Sequence, residues 1–346
     1  MEQRFDLKSA SMDELTQFLS ALGERPFRAR QLYEWMHEKQ AASVDAMTNI
    51  PKGLRAKLQE RAVFTVLTQA DVQVSGQDGT RKYLFELADG NVIESVFMRY
   101  RHGNSVCISS QAGCRMGCRF CASTLEGLAR DLTPAEMLEQ IYRIGDDVGE
   151  RISNVVVMGS GEPLDNYENL LRFLRLLTDE HGLHMSQRNV TVSTCGLVPR
   201  MYELADEGLQ ITMALSLHAA TQEKRLRLMP VAAKYGLDEV IGACDYYFKQ
   251  TGRRVTFEYA LVGGVNDTDT DAAQLARLLR GKNCHVNLIP VNPVRERDCA
   301  QPPRAAVEAF QEKLARAGIN ATVRREMGRD IDGACGQLRR RYMQKK

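Results

Sequence analysis

Cys114, Cys118 and Cys121 stand as Cys-x-x-x-Cys-x-x-Cys within Gln111-Ala-Gly-Cys-Arg-Met-Gly-Cys-Arg-Phe-Cys121, directly after a predicted strand and before a predicted helix. Thiols so spaced on one loop can converge on a single metal centre. A zinc site would want four protein ligands, or three and a catalytic water, usually from paired Cys-x-x-Cys knuckles. A 4Fe-4S cube normally takes four thiolates, so three leave one iron open to a cofactor or substrate. Gly113 and Gly117 would let the loop wrap closely, because glycine carries no Cβ. The bland alternative is a set of buried or zinc-bound cysteines.

Other residues with chemical potential sit at strand ends. Met158-Gly-Ser-Gly-Glu-Pro163 follows a predicted strand; Gly161 would expose backbone groups there, and Glu162 could accept hydrogen bonds from an amine. Ser193, the run Ser216-Leu217-His218, and Asn292 close three further predicted strands. Taken singly, each reads as a cap or turn residue; in register with the strands they read as one ligand site. Glu94, Cys107 and Cys335 add a carboxylate and two thiols outside the triad. By itself Glu94 reads as an outward-facing strand carboxylate.

The elements that must position these groups fall into three patterns. Residues from about 12 to 60 look helical: Met12 to Leu22, a second start near Pro26, and Lys52 to Arg61. Alternating runs VLTQADVQV, RKYLFEL and VIESVFM, separated by GQDGT and DG turn signals, predict antiparallel hairpins. From Ser105 onward, six strand-then-helix units predict parallel strands with right-handed crossovers. The expected fold is therefore α/β, an open (βα)6 partial barrel with its chemistry at the C-terminal ends of the strands. The expected divisions are an N-terminal helical accessory module over 1–62, a β-hairpin extension over 63–104, the barrel core over 105–325, and a C-terminal loop and basic tail over 326–346.

With 44% hydrophobic and 26% charged residues and no apolar run near the ~20 residues a membrane span needs, composition indicates a globular chain with no membrane. The first residues carry acidic groups and no apolar stretch of the kind an export signal needs, so a cytoplasmic location is expected. Nine cysteines in a reducing compartment argue for metal or redox chemistry over a static disulfide framework. From Ala321 to Lys346, eight basic residues face three acidic ones, a tail that could meet a phosphate backbone or simply be solvated. Arg25, Arg28, Arg30 and Lys39 in the N-terminal helices are further candidates for contacting nucleic acid. Cys195, Cys244, Cys284 and Cys299 match no motif and read as packing or surface residues.

The triad spacing, with Phe120 just before the third cysteine, resembles the radical S-adenosylmethionine (SAM) signature. With Cys107, Cys335, Glu94, CASTLEGL, MGSGEPLDNYEN, SLHA and IPVNP, the chain is similar from about Pro26 to Leu338 to the radical SAM RNA adenine methyltransferases. The resemblance implies a 4Fe-4S cluster on Cys114, Cys118 and Cys121, and SAM held by Gly161, Glu162, Ser193, Ser216, Leu217, His218 and Asn292. It further implies methylation of adenine C2 in 23S rRNA, near the peptidyl transferase centre, and in tRNA, with two SAM per turnover. Cys335 would first take a methyl group as thiolate. A 5′-deoxyadenosyl radical would then activate that methyl, and a covalent RNA adduct would be resolved by a Cys107–Cys335 disulfide, with Glu94 accepting the ring proton. A low-potential donor such as flavodoxin or ferredoxin would feed the cluster. Within the family, a resistance-type branch methylates C8 with the same catalytic residues; CASTLEGL and MGSGEPLDNYEN look more like the C2 branch. The rival of another class is a non-catalytic iron–sulfur or zinc RNA-binding protein, which would need none of Glu94, Cys107 and Cys335.

Overall fold

The computed structural model describes residues 4–292, 294, 296–331, 338, 339 and 342. Cys335 lies outside the described residues. At the N-terminus, β1 (Phe5–Asp6) leads into α1 (Met12–Ala21), α2 (Phe27–Tyr33) and α3 (Lys52–Arg61), and β2 (Ala62–Val63) returns to pair parallel with β1. Ser11 caps α1 through a capping box with Glu14, and α2 runs on into a π-helical turn over Glu34–Glu38. This module packs on the rest of the chain through a buried ion pair. Lys8 donates to Glu139, both side chains being fully shielded, and Glu139 also accepts the Leu67 amide.

Next come β3 (Thr68–Val74), β4 (Arg81–Glu86) and β5 (Val92–Tyr100), antiparallel as their alternation and turns predict. They do not stand apart. β5 pairs antiparallel with β6 (Gly103–Ile108), and β6 pairs parallel with β9 (Asn154–Val157), so hairpins and barrel share one sheet. Between them a small antiparallel pair, β7 (Gln111–Gly113) and β8 (Leu128–Asp131), clamps the two ends of the three-cysteine loop before α4 (Pro134–Val148). The long-range pairing of so short a strand as β7 leaves no local signal.

The remaining units are α5 (Tyr167–Thr178), β10 (Val190–Thr194), α6 (Val198–Asp206), β11 (Thr212–Ser216), α7 (Gln222–Leu228), α8 (Leu237–Thr251), β12 (Val255–Leu261), α9 (Asp269–Leu278), β13 (Cys284–Pro290), α10 (Arg304–Arg316) and β14 (Ala321–Val323). The ten-stranded sheet runs β14-β13-β12-β11-β10-β9-β6-β5-β4-β3, parallel from β14 to β6. The six expected parallel strands are all present, and β14 adds a short seventh beside β13. Side chains of the outer face, such as Val155, Val192, Met213, Phe257 and Val286, pack under the helices as the main core. The other face forms the inside of an open barrel. No helix of the described residues is long and apolar enough to cross a membrane.

Candidate active site

The site is assembled where β6 and β9 end side by side. The turn after β9 is sewn to the start of the cysteine loop by backbone bonds: Ser110 and Gln111 both donate N–H to Ser160 O, at 3.0 and 3.1 Å. Ser160 N–H in turn donates to Ser109 Oγ at 3.0 Å, and Glu162 N–H to Gln111 Oε1 at 2.8 Å. Gly161 has φ +110°, and a Cβ there would lie 2.7 Å from Gln111 Cβ and 2.8 Å from its backbone nitrogen. Only glycine allows the two strand ends to approach this closely.

The cysteine loop itself depends on a second close approach. Gly113 has φ +87°, and a Cβ there would fall 2.1 Å from Gly127 O, the acceptor of the Cys114 amide. Thr124 Oγ1 donates to the carbonyls of Cys118 and Cys121, and the Arg119 amide to Leu228 O, which tie the loop down at its far end. Gly117, the other glycine expected to let the loop wrap, also has a positive φ.

A cavity of about 570 Å³ opens between this loop and the strand ends. It brings together Cys107, Cys114, Cys118, Cys121, Gly161, Glu162, Ser193, Ser216, His218 and Asn292. Leu217 does not face it: its side chain is fully buried in the main core, and only its backbone lies near the site, donating N–H to Glu258 O. Glu94 is not on the cavity wall either. It shares the inner face of β5 with Val96 and Met98, which do line the cavity, and its carboxylate meets Lys82 at 3.1 Å and accepts the Arg339 amide at 2.6 Å.

The electrostatics of the cavity are distinctive. Burial pushes the Cys114 thiol up to about 12, with Cys121, Glu162 and Asp165 adding to the shift. Cys118 is raised by burial and then by Cys121 and Cys114. Thiols raised as Cys114 and Cys118 are resist ionising unless a polycation compensates them, and an iron–sulfur core is such a polycation. Their chemistry therefore fits the cluster. As they stand, no three thiol, imidazole or carboxylate groups among the described residues are gathered tightly enough to hold an ion.

Glu162 is raised by burial, and its two oxygens accept the amides of Leu164 (3.1 Å) and Cys195 (2.7 Å). His218 is pulled down to about 3 by burial and by the nearby Arg225 charge, and its Nδ1 accepts the Ala260 amide at 2.9 Å. It is thus a neutral ring with its proton on Nε2. Phe120 meets it edge-on at 4.7 Å, joining the cysteine loop to the end of β11. Ser193 and Ser216 place their hydroxyls 3.4 Å apart on neighbouring strands.

Two contributors escaped the sequence reading. Asn266 bonds the carbonyls of His218 and Ala260 and the amide of Val262, fixing the strained His218 backbone at φ +55°. Its signal was a turn-type Val-Asn-Asp, indistinguishable from an ordinary loop. Glu258 is a buried carboxylate on the inner face of β12, raised by burial and held by Asn287 at 2.8 Å. Alternation along β12 could have flagged it as inward-facing.

An open parallel barrel with three cysteines on the loop after its first strand defines a radical SAM enzyme. The family model for the radical SAM superfamily matches residues 108–276, and the model for the ribosomal RNA large subunit methyltransferase N-terminal domain matches residues 5–64. A probable dual-specificity RNA methyltransferase RlmN of Lachnospira eligens is 61% identical over 98% of this chain and 97% of that protein. A protein of the same description from Desulforamulus reducens is 50% identical over 99% of this chain and 98% of its own length. The crystal structure of a radical SAM methyltransferase from Sphaerobacter thermophilus superposes with a TM-score of 0.92 at 45% identity, covering 96% of this chain and 98% of that one. The chain belongs to the RlmN family of dual-specificity radical SAM RNA methyltransferases. Membership of the radical SAM superfamily implies a 4Fe-4S cluster and SAM.

Proposed function

We propose that the protein methylates C2 of an adenosine near the peptidyl transferase centre of 23S rRNA, and of adenosine in tRNA, with Cys335 as methyl carrier, Cys107 as resolving thiol and Glu94 as proton acceptor. The observation that carries this reading is Cys107. Two further thiols share the cavity wall with Cys114, Cys118 and Cys121: Cys195 packs beside the cysteine loop with Leu228, Met229 and Val262, whereas Cys107 stands on β6, outside the loop, with its side chain among Val96 and Met98. A cluster held by three thiols does not need it; a covalent intermediate that must be released by thiol attack does.

Cys114, Cys118 and Cys121 would hold the cluster, and Gly161, Glu162, Ser193, Ser216, His218 and Asn292, with the Leu217 backbone, would hold SAM. Together, cluster and SAM would supply a hydrogen-abstracting 5′-deoxyadenosyl radical, a second SAM having first methylated Cys335, so two are used per turnover. The chain's own residues do the rest. Ile331 lines the cavity, and Leu338 packs on Leu84 and Val92. The Arg339 amide on Glu94 places that carboxylate beside the returning C-terminal segment. A low-potential flavodoxin or ferredoxin would reduce the cluster, and the reaction would take place in the cytoplasm.

RNA would be gripped by the N-terminal module. Phe27 is half exposed among Arg25, Arg28 and Arg30, with the Arg28 guanidinium 4.7 Å over its ring, and Lys39 lies over Trp35. Exposed aromatics among cations suit unstacked bases and phosphate. The test is incubation of anaerobically reconstituted enzyme, SAM and reductant with unmodified 23S rRNA or tRNA, followed by mass spectrometry of the nucleosides. The C2-methyl isomer is expected; the C8 isomer, or no product from fully loaded enzyme, would overturn the reading. Cys107→Ala should trap a covalent protein–RNA adduct, and free product at normal yield would refute its role.

A further inference from the structure

The ten-stranded sheet is open, with β14 at one edge and β3 at the other. After Val323 the chain leaves β14 and crosses the gap between these edges. At the start of this strap the Arg324 amide donates to Leu288 O, and Gln301 donates to Glu326. Residues 324–329 and Ile331 then line the cavity. At the far end, the strap meets the turn between β3 and β4. Ser75 Oγ donates to Asp330 Oδ1 at 2.6 Å, the Gly76 amide to Asp330 Oδ2 at 2.8 Å, and in the opposite sense the Gly328 amide to Asp78 Oδ2 at 3.0 Å.

The turn is built to receive it. Ser75 Oγ also accepts the amides of Gln77 and Asp78, Asp78 Oδ1 accepts the Thr80 amide, and the Ser75 amide closes on Thr80 O. Ser75 and Thr80 are buried although they belong to a hairpin turn, because the strap covers them. Between the two fastenings, Met327 packs against the small apolar cluster of Val96, Met98 and Cys107.

We infer that the Ser75–Thr80 turn and Asp330 are positioning residues for the reaction: they fasten the strap across the open side of the barrel and so hold Met327 over Cys107. Asp330 touches no reacting atom; it acts through Met327. Two of the three bonds go to one carboxylate, and charge-assisted bonds are the stronger kind. A radical site gains from such closure, because solvent and stray hydrogen donors compete for the radical. The functional consequence rests on Cys107 being the resolving thiol; the coverage of Cys107 does not.

The test uses full-length, cluster-loaded enzyme under anaerobic conditions, as wild type, Asp330→Ala and Asp330→Asn, with thermal melting as a check on folding. N-ethylmaleimide is added and alkylation of each cysteine is followed by mass spectrometry. Losing the latch should speed Cys107 alkylation about tenfold in Asp330→Ala, the scale expected for losing both bonds to this exposed carboxylate from a local opening, and less in Asp330→Asn, which keeps one acceptor oxygen. Cys244 and Cys284, which do not line this cavity, should react as in wild type. In turnover, 5′-deoxyadenosine released per methylated nucleoside should rise while KM for SAM stays unchanged. An unchanged Cys107 rate, or an equal rise at Cys244 and Cys284, would overturn the inference. Faster alkylation with an unchanged product ratio would overturn the positioning role. If the wild type makes no methylated nucleoside, the proposed function fails, and the alkylation rates still decide whether the strap is latched.

Discussion

Replacing Gly161 by alanine should injure stability and cofactor binding together, by an amount that follows from the turn. The new Cβ would stand 2.7 Å from Ser110 Oγ and Gln111 Cβ and 2.8 Å from Gln111 N. A serine hydroxyl can rotate away; a backbone nitrogen cannot. The turn must therefore shift, and it carries the bonds to Ser160 O from two amides, one from Ser160 to Ser109 Oγ, and one from Glu162 to Gln111 Oε1. Losing two of these at about 1 kcal/mol each, with about 1–2 kcal/mol for the unfavourable φ, gives a cost of about 3–4 kcal/mol. For a chain of this size that is a fall of about 4–6 °C in Tm. Glu162 moves with the turn, so SAM affinity should fall at least about tenfold, the equivalent of one hydrogen bond to a charged group. Differential scanning calorimetry and equilibrium dialysis with labelled SAM on cluster-loaded protein measure the two effects. A Gly161→Ala protein with wild-type Tm and wild-type SAM affinity would show that the strand ends are not in this close contact.

His37 is fully buried against Tyr142 and pulled down to about 3 by burial and by the Lys8 charge. Below the ordinary histidine pKa the unfolded chain takes up a proton that the folded chain refuses, so stability should fall as pH drops from about 6.5 towards 3, by about 2 kcal/mol at pH 5. Urea denaturation at pH 7.5 and pH 5 should show this difference shrinking by about that amount in His37→Gln, and an undiminished difference would refute the assignment. Lys8→Met should cost up to about 3 kcal/mol, because buried Glu139 then keeps only Arg143 and the Leu67 amide, and Lys8→Met with Glu139→Gln should recover part of it. A double variant no more stable than the single one, measured in the same denaturation experiment, would show that the two side chains are not coupled.

What the sequence revealed divides along the range of the interactions involved. The cysteine loop was legible because its ligands, glycines and flanking elements lie within a dozen residues. Lys52 to Arg61 could be bounded as a helix, since Pro51 precedes it and apolar Leu54 and Leu58 are four apart. The hairpin turns announced themselves through Gly-Gln-Asp-Gly-Thr and Asp-Gly. The strap gave no such sign: Arg-Asp at 329–330 looks like any polar tail until the fold brings it to a turn some 255 residues earlier. Asn266 was hidden because the His218 carbonyl that it holds lies 48 residues earlier, and the Asn287 partner of Glu258 stands on a neighbouring strand. Leu217 offers the site only its backbone, because the strand period puts its neighbours Ser216 and His218 on the cavity and its own side chain on the helical side. The Lys8–Glu139 pair joins residues 131 apart, and neither is a type that announces burial.

The continuity of the sheet from β5 into β6 has a bearing on how the molecule can be dissected. A fragment begun at residue 105 would expose, along the whole length of β6, backbone donors and acceptors that β5 now satisfies. Such raw edges invite intermolecular pairing. Transplanting or expressing the barrel alone would therefore demand that the three hairpin strands travel with it, or that β6 be recut with inward charges or a proline to keep other chains away.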